Sequence, residues 1–192
     1  MDALNSDSPE VITTAGFTEF KTTNGVTYKR RKGTVIWKPI QSAPPAKSLT
    51  AEDAAYLTLY LVRYYQSPEE PLHWALAISP TQEFGGHINF TAILEVRGDT
   101  ESMYFNPCTE YVPVSLLPDL HSVYSLTKMN LEDSRKVKEI AELEPPPHAP
   151  NRKEIKENCQ NWCVRVVQKL VEHNMVDSKH VTSMKELMEP IL

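Results

Sequence analysis

The middle of the chain carries two segments whose side chains alternate with a period of two. They are "LHWALAIS" at residues 72–79 and "HINFTAILEVRG" at 87–98. This period is that of a β-strand, in which successive side chains face opposite sides. The shorter runs "SMYFNP" and "EYVPVS" follow before residue 116. We therefore predict an antiparallel meander in the middle of the domain.

Helical patterns flank this predicted sheet. "LTAEDAAYLTLYLVRYYQ" at 49–66 predicts a first helix, with Thr50 and Asp53 as its capping pair. A proline-bearing loop is expected at 115–126, and "NLEDSRKVKEIAEL" after it predicts a second helix with Asn130 as N-cap. "NCQNWCVRVVQKLVEHN" and "DSKHVTSMKELMEPIL" predict two more helices. The order helix, sheet, helix, helix indicates an α+β fold.

The length of the chain and its proline-rich breaks suggest one domain with an extension. Residues 1–48 carry short β-type runs that end at "SAPPAKS", and we expect them to form an N-terminal extension packed on the domain. The domain itself is expected at 49–192. A chain of 192 residues is somewhat longer than the usual domain of roughly 100–150 residues.

Charge and cysteine content exclude several classes of protein. The net charge of −5 gives no basic surface for nucleic acid. The acidic N-terminus does not resemble a secretory signal, and no run approaches the ~18 apolar residues of a membrane span, so we expect no integral membrane anchor. Three cysteines argue against a disulfide framework. These features predict a soluble cytoplasmic protein.

Two cysteines lie one turn apart at the start of the predicted helix 158–174. With Asn158 as N-cap, Cys159 falls in the first turn, where free N–H groups and the helix dipole favour a thiolate. Cys159 is therefore the candidate nucleophile. Cys163 continues along the apolar stripe and is predicted to be a buried packing residue. Cys108, after a proline turn, is predicted to be structural.

A thiol nucleophile needs a base, and the base needs a group that orients it. His73 starts the first predicted strand and His87 the second, and an antiparallel hairpin would keep these two segments adjacent, with the register left open. Asn89 shares a face with His87 and is a second candidate for the orienting group.

The motifs "HWALAIS", "GGHINF" and "NCQNWCVRVVQKL", in this order, resemble the circularly permuted branch of the papain-like NlpC superfamily, which includes lecithin retinol acyltransferase-like proteins. They are also similar to uncharacterised fungal proteins with HW, GG and NCxxW motifs. The resemblance implies a permuted papain-like fold whose sheet packs against the helix of the NC motif. It also implies a triad in which Cys159 is the nucleophile, His73 the base and His87 the orienting residue.

The predicted function is thiol-dependent acyl transfer on an amide, ester or thioester, by hydrolysis or to another acceptor. The expected partner is a small-molecule or peptide acyl substrate, and no cofactor is implied. Two alternatives remain open. One is a non-catalytic binding or accessory protein that retains the fold. The other is a structural zinc site built from Cys159, Cys163, His73 and His87, since Cys-x3-Cys lies within zinc-ligand spacing. The sequence leaves the oligomeric state open.

Overall fold

The computed structural model describes residues 12–15, 18–23, 26–39, 56–67, 70–80, 89–108, 112–113, 117 and 119–191. The chain divides into two compact units, residues 1–47 and 48–192. The predicted boundary at residue 48 lies next to this division. The expected packing of the first unit on the second stays a prediction.

The described residues of the first unit form a four-stranded antiparallel sheet. Its strands, in spatial order, are β1 (Ile12–Ala15), β2 (Thr18–Thr23), β3 (Val26–Arg31) and β4 (Lys38–Pro39). Arg30 on β3 donates to Glu19 on β2 over 2.6 Å, and its guanidinium lies 4.3 Å from the ring centre of Trp37. Contacts of this kind across neighbouring strands stabilise a small sheet.

The second unit is built around a four-stranded antiparallel sheet with the spatial order β12-β5-β6-β8. Its strands are β5 (Leu57–Tyr64), β6 (His73–Pro80), β8 (Ala92–Leu94) and β12 (Leu120–Met129). Two short pairs accompany it, β7 (Asn89–Phe90) with β11 (Val112–Pro113) and β9 (Val96–Arg97) with β10 (Tyr104–Phe105). The strand predicted at 72–79 is confirmed as β6. Within its described residues, the run predicted at 87–98 forms three short strands, β7, β8 and β9, instead of one, and the two shorter runs contain β10 and β11.

The predicted first helix is wrong, because residues 57–64 form strand β5 instead. This strand is central, paired on both sides, and most of its residues are buried on both faces. Such a strand is apolar almost throughout, so its leucines match a helical stripe by coincidence. The β-branched and aromatic residues of "LTLYLVRY" favour the strand. The predicted capping pair, Thr50 and Asp53, lies outside the described residues.

The proline-bearing loop predicted at 115–126 is also wrong over its second half. Residues from Leu120 onward belong to β12, a strand of ten residues of which eight pair with β5. Both predictions are wrong for the same reason. Strand β12 pairs with β5, and a sequence pattern that predicts a helix for residues 57–64 leaves residues 120–129 without a neighbouring strand.

The three later helices are confirmed, and each starts at a polar cap. They are α1 (Leu131–Leu143), α2 (Cys159–Glu172) and α3 (Ser178–Leu187). Asn130 accepts from Asp133 N over 2.8 Å at the start of α1. Asp177 caps α3 in the same way. The fold of the second unit is therefore α+β, as predicted.

Helix α2 packs against β6 and forms the centre of the core. Its fully buried residues Trp162, Cys163 and Leu170 share one apolar cluster with Trp74 and Leu76 of β6. The prediction that Cys163 is a packing residue is thus confirmed, and Cys108 is buried as well. Within the described ranges, no helix has the length and apolar character needed to cross a membrane.

Candidate active site

Cys159 is the first residue of α2, and a capping box formed by Asn158 and Asn161 fixes the start of this helix. The Asn158 side chain accepts from Gln160 N over 2.9 Å, and the Asn161 side chain accepts from Asn158 N over 2.9 Å. This capping box uses the N–H groups of Asn158 and Gln160 and does not involve that of Cys159. The helix dipole favours an anion here, so the position suits a thiolate.

His73 is the first residue of β6, and the packing of α2 on β6 brings the starts of the two elements together. The Cys159 side chain lies close enough to the His73 ring to stabilise its positive charge. Nε2 of this ring contacts Glu95. The two predicted reacting residues therefore meet in the structure.

The environment of His73 favours its charged form. Burial alone would lower its pKa, but the charge and hydrogen bond of Cys159, followed by the hydrogen bond and charge of Glu95, outweigh burial. Together they raise the pKa of His73 from 6.5 to about 10. The surroundings of the ring thus favour the imidazolium form of His73.

Glu95 holds the other side of the His73 ring. Its Oε2 lies 2.9 Å from His73 Nε2, and its Oε1 accepts from Arg97 Nε over 2.7 Å. Asn106 supports the same residue, because its N–H donates to the Glu95 carbonyl over 2.8 Å. Burial would raise the pKa of Glu95, but the contacts with His73 and Arg97 lower it below 4.5. Glu95 is therefore an ionised, fully buried acceptor that orients His73.

Sequence reasoning missed Glu95, although the sequence holds a signal for it. Glu95 is the single charged residue in the apolar run "AILEV", and a carboxylate is almost never fully buried unless it is paired. His87 lies outside the described residues, and so does the side chain of Asn89. The orienting role expected of His87 stays a prediction. In the described part of the chain, Glu95 makes the contact at Nε2.

Tyr64 lies beside this group, because Tyr64 and His73 are paired between β5 and β6. Their ring centres are 6.2 Å apart. The Tyr64 hydroxyl is buried and has no hydrogen-bond partner among the described residues. Burial and then the charge of Glu95 raise the pKa of Tyr64 well above 10, so the hydroxyl keeps its proton.

The described residues also bear on the alternative of a zinc site. Over the ranges that the structure describes, no three His, Cys, Asp or Glu side chains are grouped so as to hold a metal ion. One of the four proposed ligands, His87, lies outside those ranges. Cys159 and Cys163 both belong to the apolar core cluster, and Cys159 also lies beside His73.

Comparison with known proteins gives a match to one protein-family model, and this match covers the residues of the candidate site. No curated protein and no solved structure matches the chain significantly. A family model described as a family of unknown function (DUF6540) matches residues 59–177, a range that contains His73, Glu95 and Cys159. Because the match extends over more than half of the 192 residues, the chain belongs to the DUF6540 family.

Proposed function

We propose that the protein is a thiol-dependent acyl-transfer enzyme with Cys159 as nucleophile, His73 as acid and base, and Glu95 as the residue that orients His73. The position of the Cys159 side chain beside the His73 ring, which Glu95 contacts at Nε2 over 2.9 Å, is the observation that carries the proposal. A nucleophile, a base within reach and a third group that fixes the base are the parts that covalent acyl transfer needs.

In the first half of the reaction, the Cys159 thiolate attacks the substrate carbonyl and forms a C–S bond. The N–H of Cys159, which the capping box does not use, would donate to the oxyanion. The intermediate then collapses, the bond to the leaving group breaks, and protonated His73 gives its proton to that group. The products are a thioester on Cys159 and a neutral His73.

In the second half, an acceptor attacks the thioester while His73 removes the acceptor's proton. The C–S bond breaks, and Cys159 leaves as a thiolate beside protonated His73, which restores the starting state. Water as acceptor gives hydrolysis, and an amine or alcohol gives transfer. The substrate class is an amide, ester or thioester of a small molecule or peptide.

Glu95 and Arg97 give the site its charge balance. Through the first half of the reaction, the positive ring of His73 faces the negative carboxylate of Glu95, which Arg97 keeps in place. An ionised carboxylate only accepts hydrogen bonds, so it fixes the proton on Nε2 and turns Nδ1 toward Cys159. The mechanism requires a free thiol, so we place the protein in a reducing compartment such as the cytoplasm.

The order of the elements also supports a relation to permuted papain-like proteins. In this chain the histidine strand precedes the cysteine helix, as the resemblance of the motifs implies. The helix with the NC motif packs on the antiparallel sheet. These features support the permuted papain-like fold as part of the proposal.

One observation favours a second candidate, a non-catalytic binding or accessory protein. Cys159 is 4% exposed and His73 is 5% exposed, so both reacting side chains are nearly closed to solvent. A substrate therefore needs an opening at this site before it can react. A protein that kept the fold and lost the activity would show the same closure.

Labelling with iodoacetamide separates the two candidates. The protein is labelled between pH 5 and 9, and the alkylated peptides are quantified by mass spectrometry in wild type, His73→Ala and Cys163→Ala. We expect Cys159 to react at pH 6, where an ordinary thiol of pKa about 8.5 is almost unreactive. His73→Ala should abolish this low-pH reaction, whereas Cys163→Ala, one turn further along α2, should keep it.

A second measurement tests acyl transfer itself. Wild type mixed with p-nitrophenyl acetate should release one equivalent of nitrophenolate in a burst and carry the acetyl group on Cys159. Cys159→Ser should lose the burst. If Cys159 follows the pH dependence of a free thiol and no acetyl group is found on it, the enzymatic proposal is rejected and the binding role remains.

A further inference from the structure

A closed hydrogen-bond network joins three distant parts of the second unit. Gln160 is fully buried, and its Nε2 donates to the Leu72 carbonyl over 2.9 Å and to Glu189 Oε2 over 3.1 Å. Its Oε1 accepts from Glu189 N over 2.9 Å. Leu72 and Glu189 are also linked directly, because Leu72 N donates to Glu189 Oε2 over 2.7 Å. Both hydrogens of the Gln160 amide and its oxygen are therefore used.

This network lies next to both reacting residues in the sequence. Gln160 directly follows Cys159, and Leu72 directly precedes His73. The third member, Glu189, belongs to the short segment that follows α3. One carboxylate thus connects the start of α2 to the start of β6, the two places from which the Cys159 and His73 side chains extend.

We propose that Gln160 and Glu189 form a positioning clamp that holds Cys159 against His73. The proposal rests on the proposed function. Neither residue needs to touch a substrate, since both act through the backbone on either side of the reacting pair. Glu189 lies beyond residue 177, where the family match ends, so the clamp is completed by a part of the chain outside that match.

The chemistry of the bonds supports a positioning role over simple packing. Hydrogen bonds to an ionised carboxylate are shorter and stronger than neutral ones, and Oε2 of Glu189 accepts two of them. Gln160 is a polar residue at a fully buried position, where an apolar side chain would serve for packing alone. A displacement of about 1 Å between reacting groups lowers the rate by roughly a hundredfold. Bonds that fix the distance between Cys159 and His73 would therefore keep the reaction fast.

The test compares three substitutions in the full chain. Glu189→Ala removes the carboxylate, and Glu189→Gln keeps its shape and an acceptor oxygen. Glu186→Ala is the matched control, since Glu186 is an exposed glutamate on α3 three residues earlier. Each variant is labelled on Cys159 with iodoacetamide between pH 5 and 9, and the titration of the His73 ring is followed by NMR.

We expect Glu189→Ala to slow labelling of Cys159 at pH 6 by about tenfold to a hundredfold, and to shift the pH dependence toward that of an ordinary thiol near 8.5. The His73 titration should move to lower pH, because the ring loses contact with the thiolate. Glu189→Gln should show both effects to a smaller extent than Glu189→Ala. Glu186→Ala should match wild type in both measurements.

Two outcomes would overturn the clamp. In the first, Glu189→Ala lowers the melting temperature while the labelling profile and the His73 titration stay those of wild type, which is the result of a purely structural role. If Glu189→Ala does not fold, Glu189→Gln decides by the same two readouts. In the second, Glu186→Ala has an equal effect. The His73 titration needs no turnover, so it tests the clamp even where the acetyl burst is absent and acyl transfer itself is rejected.

Discussion

Glu95 Oε2 lies 2.9 Å from His73 Nε2, and neither side chain is more than 6% exposed. A buried carboxylate beside a buried imidazole stabilises the positive ring, because little solvent screens the pair. Arg97 on the far oxygen keeps the carboxylate from turning away. The pair links the fold to the proposed chemistry, since Glu95 directly follows β8, which pairs with β6, the strand that begins at His73.

The first prediction concerns the charge of Glu95. Glu95→Gln keeps the shape of the side chain and one acceptor oxygen, but it removes the charge that stabilises the His73 imidazolium. We expect the rate of acetyl transfer to Cys159 from p-nitrophenyl acetate at pH 7 to fall by about 10²- to 10⁴-fold, the usual contribution of acid and base catalysis. The measurement is the burst rate of nitrophenolate release.

Glu101→Gln is the matched control for that substitution. The Glu101 carboxylate lies 3.9 Å from the guanidinium of Arg152, which is itself exposed, so its removal should leave the burst rate unchanged. A Glu95→Gln variant with the wild-type rate would show that the orienting contact at Nε2 has no role in the reaction.

The second prediction is the titration of His73. Its ring is protonated below its pKa of about 10, so at neutral pH it should carry a positive charge. The ring C–H resonance, assigned by its loss in His73→Gln, should shift with a midpoint near pH 10. Cys159→Ala should lower this midpoint, because it removes the charge and the hydrogen bond that most strongly favour the charged ring. A wild-type midpoint at or below 6.5 would mean that burial dominates and no ion pair exists.

Local signals were sufficient for part of the fold. The caps at Asn130 and Asn158 depend on residues within one helical turn, and both helices begin where the sequence predicts. Cys159 and His73 were found for the same reason, since each is the first residue of an element with a clear period.

Non-local pairing explains what was missed. Residues 57–64 form a strand because β6 and β12 pair with both of their edges, and no signal within the segment itself reveals those partners. The role of Glu95 likewise depends on the alignment of β8 beside β6, which brings residue 95 to the ring of residue 73. Alignments of this kind are set by the whole sheet rather than by one strand.

The third prediction concerns stability in acid. The pKa of Glu95 is lower in the folded protein than its ordinary value of 4.5. Its contribution to stability is therefore complete above pH 4.5 and is lost as the pH falls through the pKa of the folded protein. Between the pKa of Glu95 in the folded protein and that in the unfolded chain, the unfolded chain binds one more proton. The free energy of unfolding should therefore fall by up to about 1.4 kcal/mol for each unit by which the pH is lowered. The measurement is urea unfolding of wild type and Glu95→Gln between pH 5 and 3. The difference between the two proteins should narrow toward pH 3, and a constant difference would contradict the lowered pKa.

The last prediction concerns the buried hydroxyl of Tyr64, which has no hydrogen-bond partner within the described residues. A buried, unsatisfied hydroxyl costs about 1–3 kcal/mol, so Tyr64→Phe should raise the free energy of unfolding by about 1 kcal/mol. Tyr60→Phe is the matched control, because Tyr60 lies on the same strand and is only partly buried, and its substitution should change stability little. Both variants are measured by urea unfolding at pH 7. If Tyr64→Phe is less stable than wild type, the hydroxyl has a partner in solution, and a bound water beside His73 is the first one to seek.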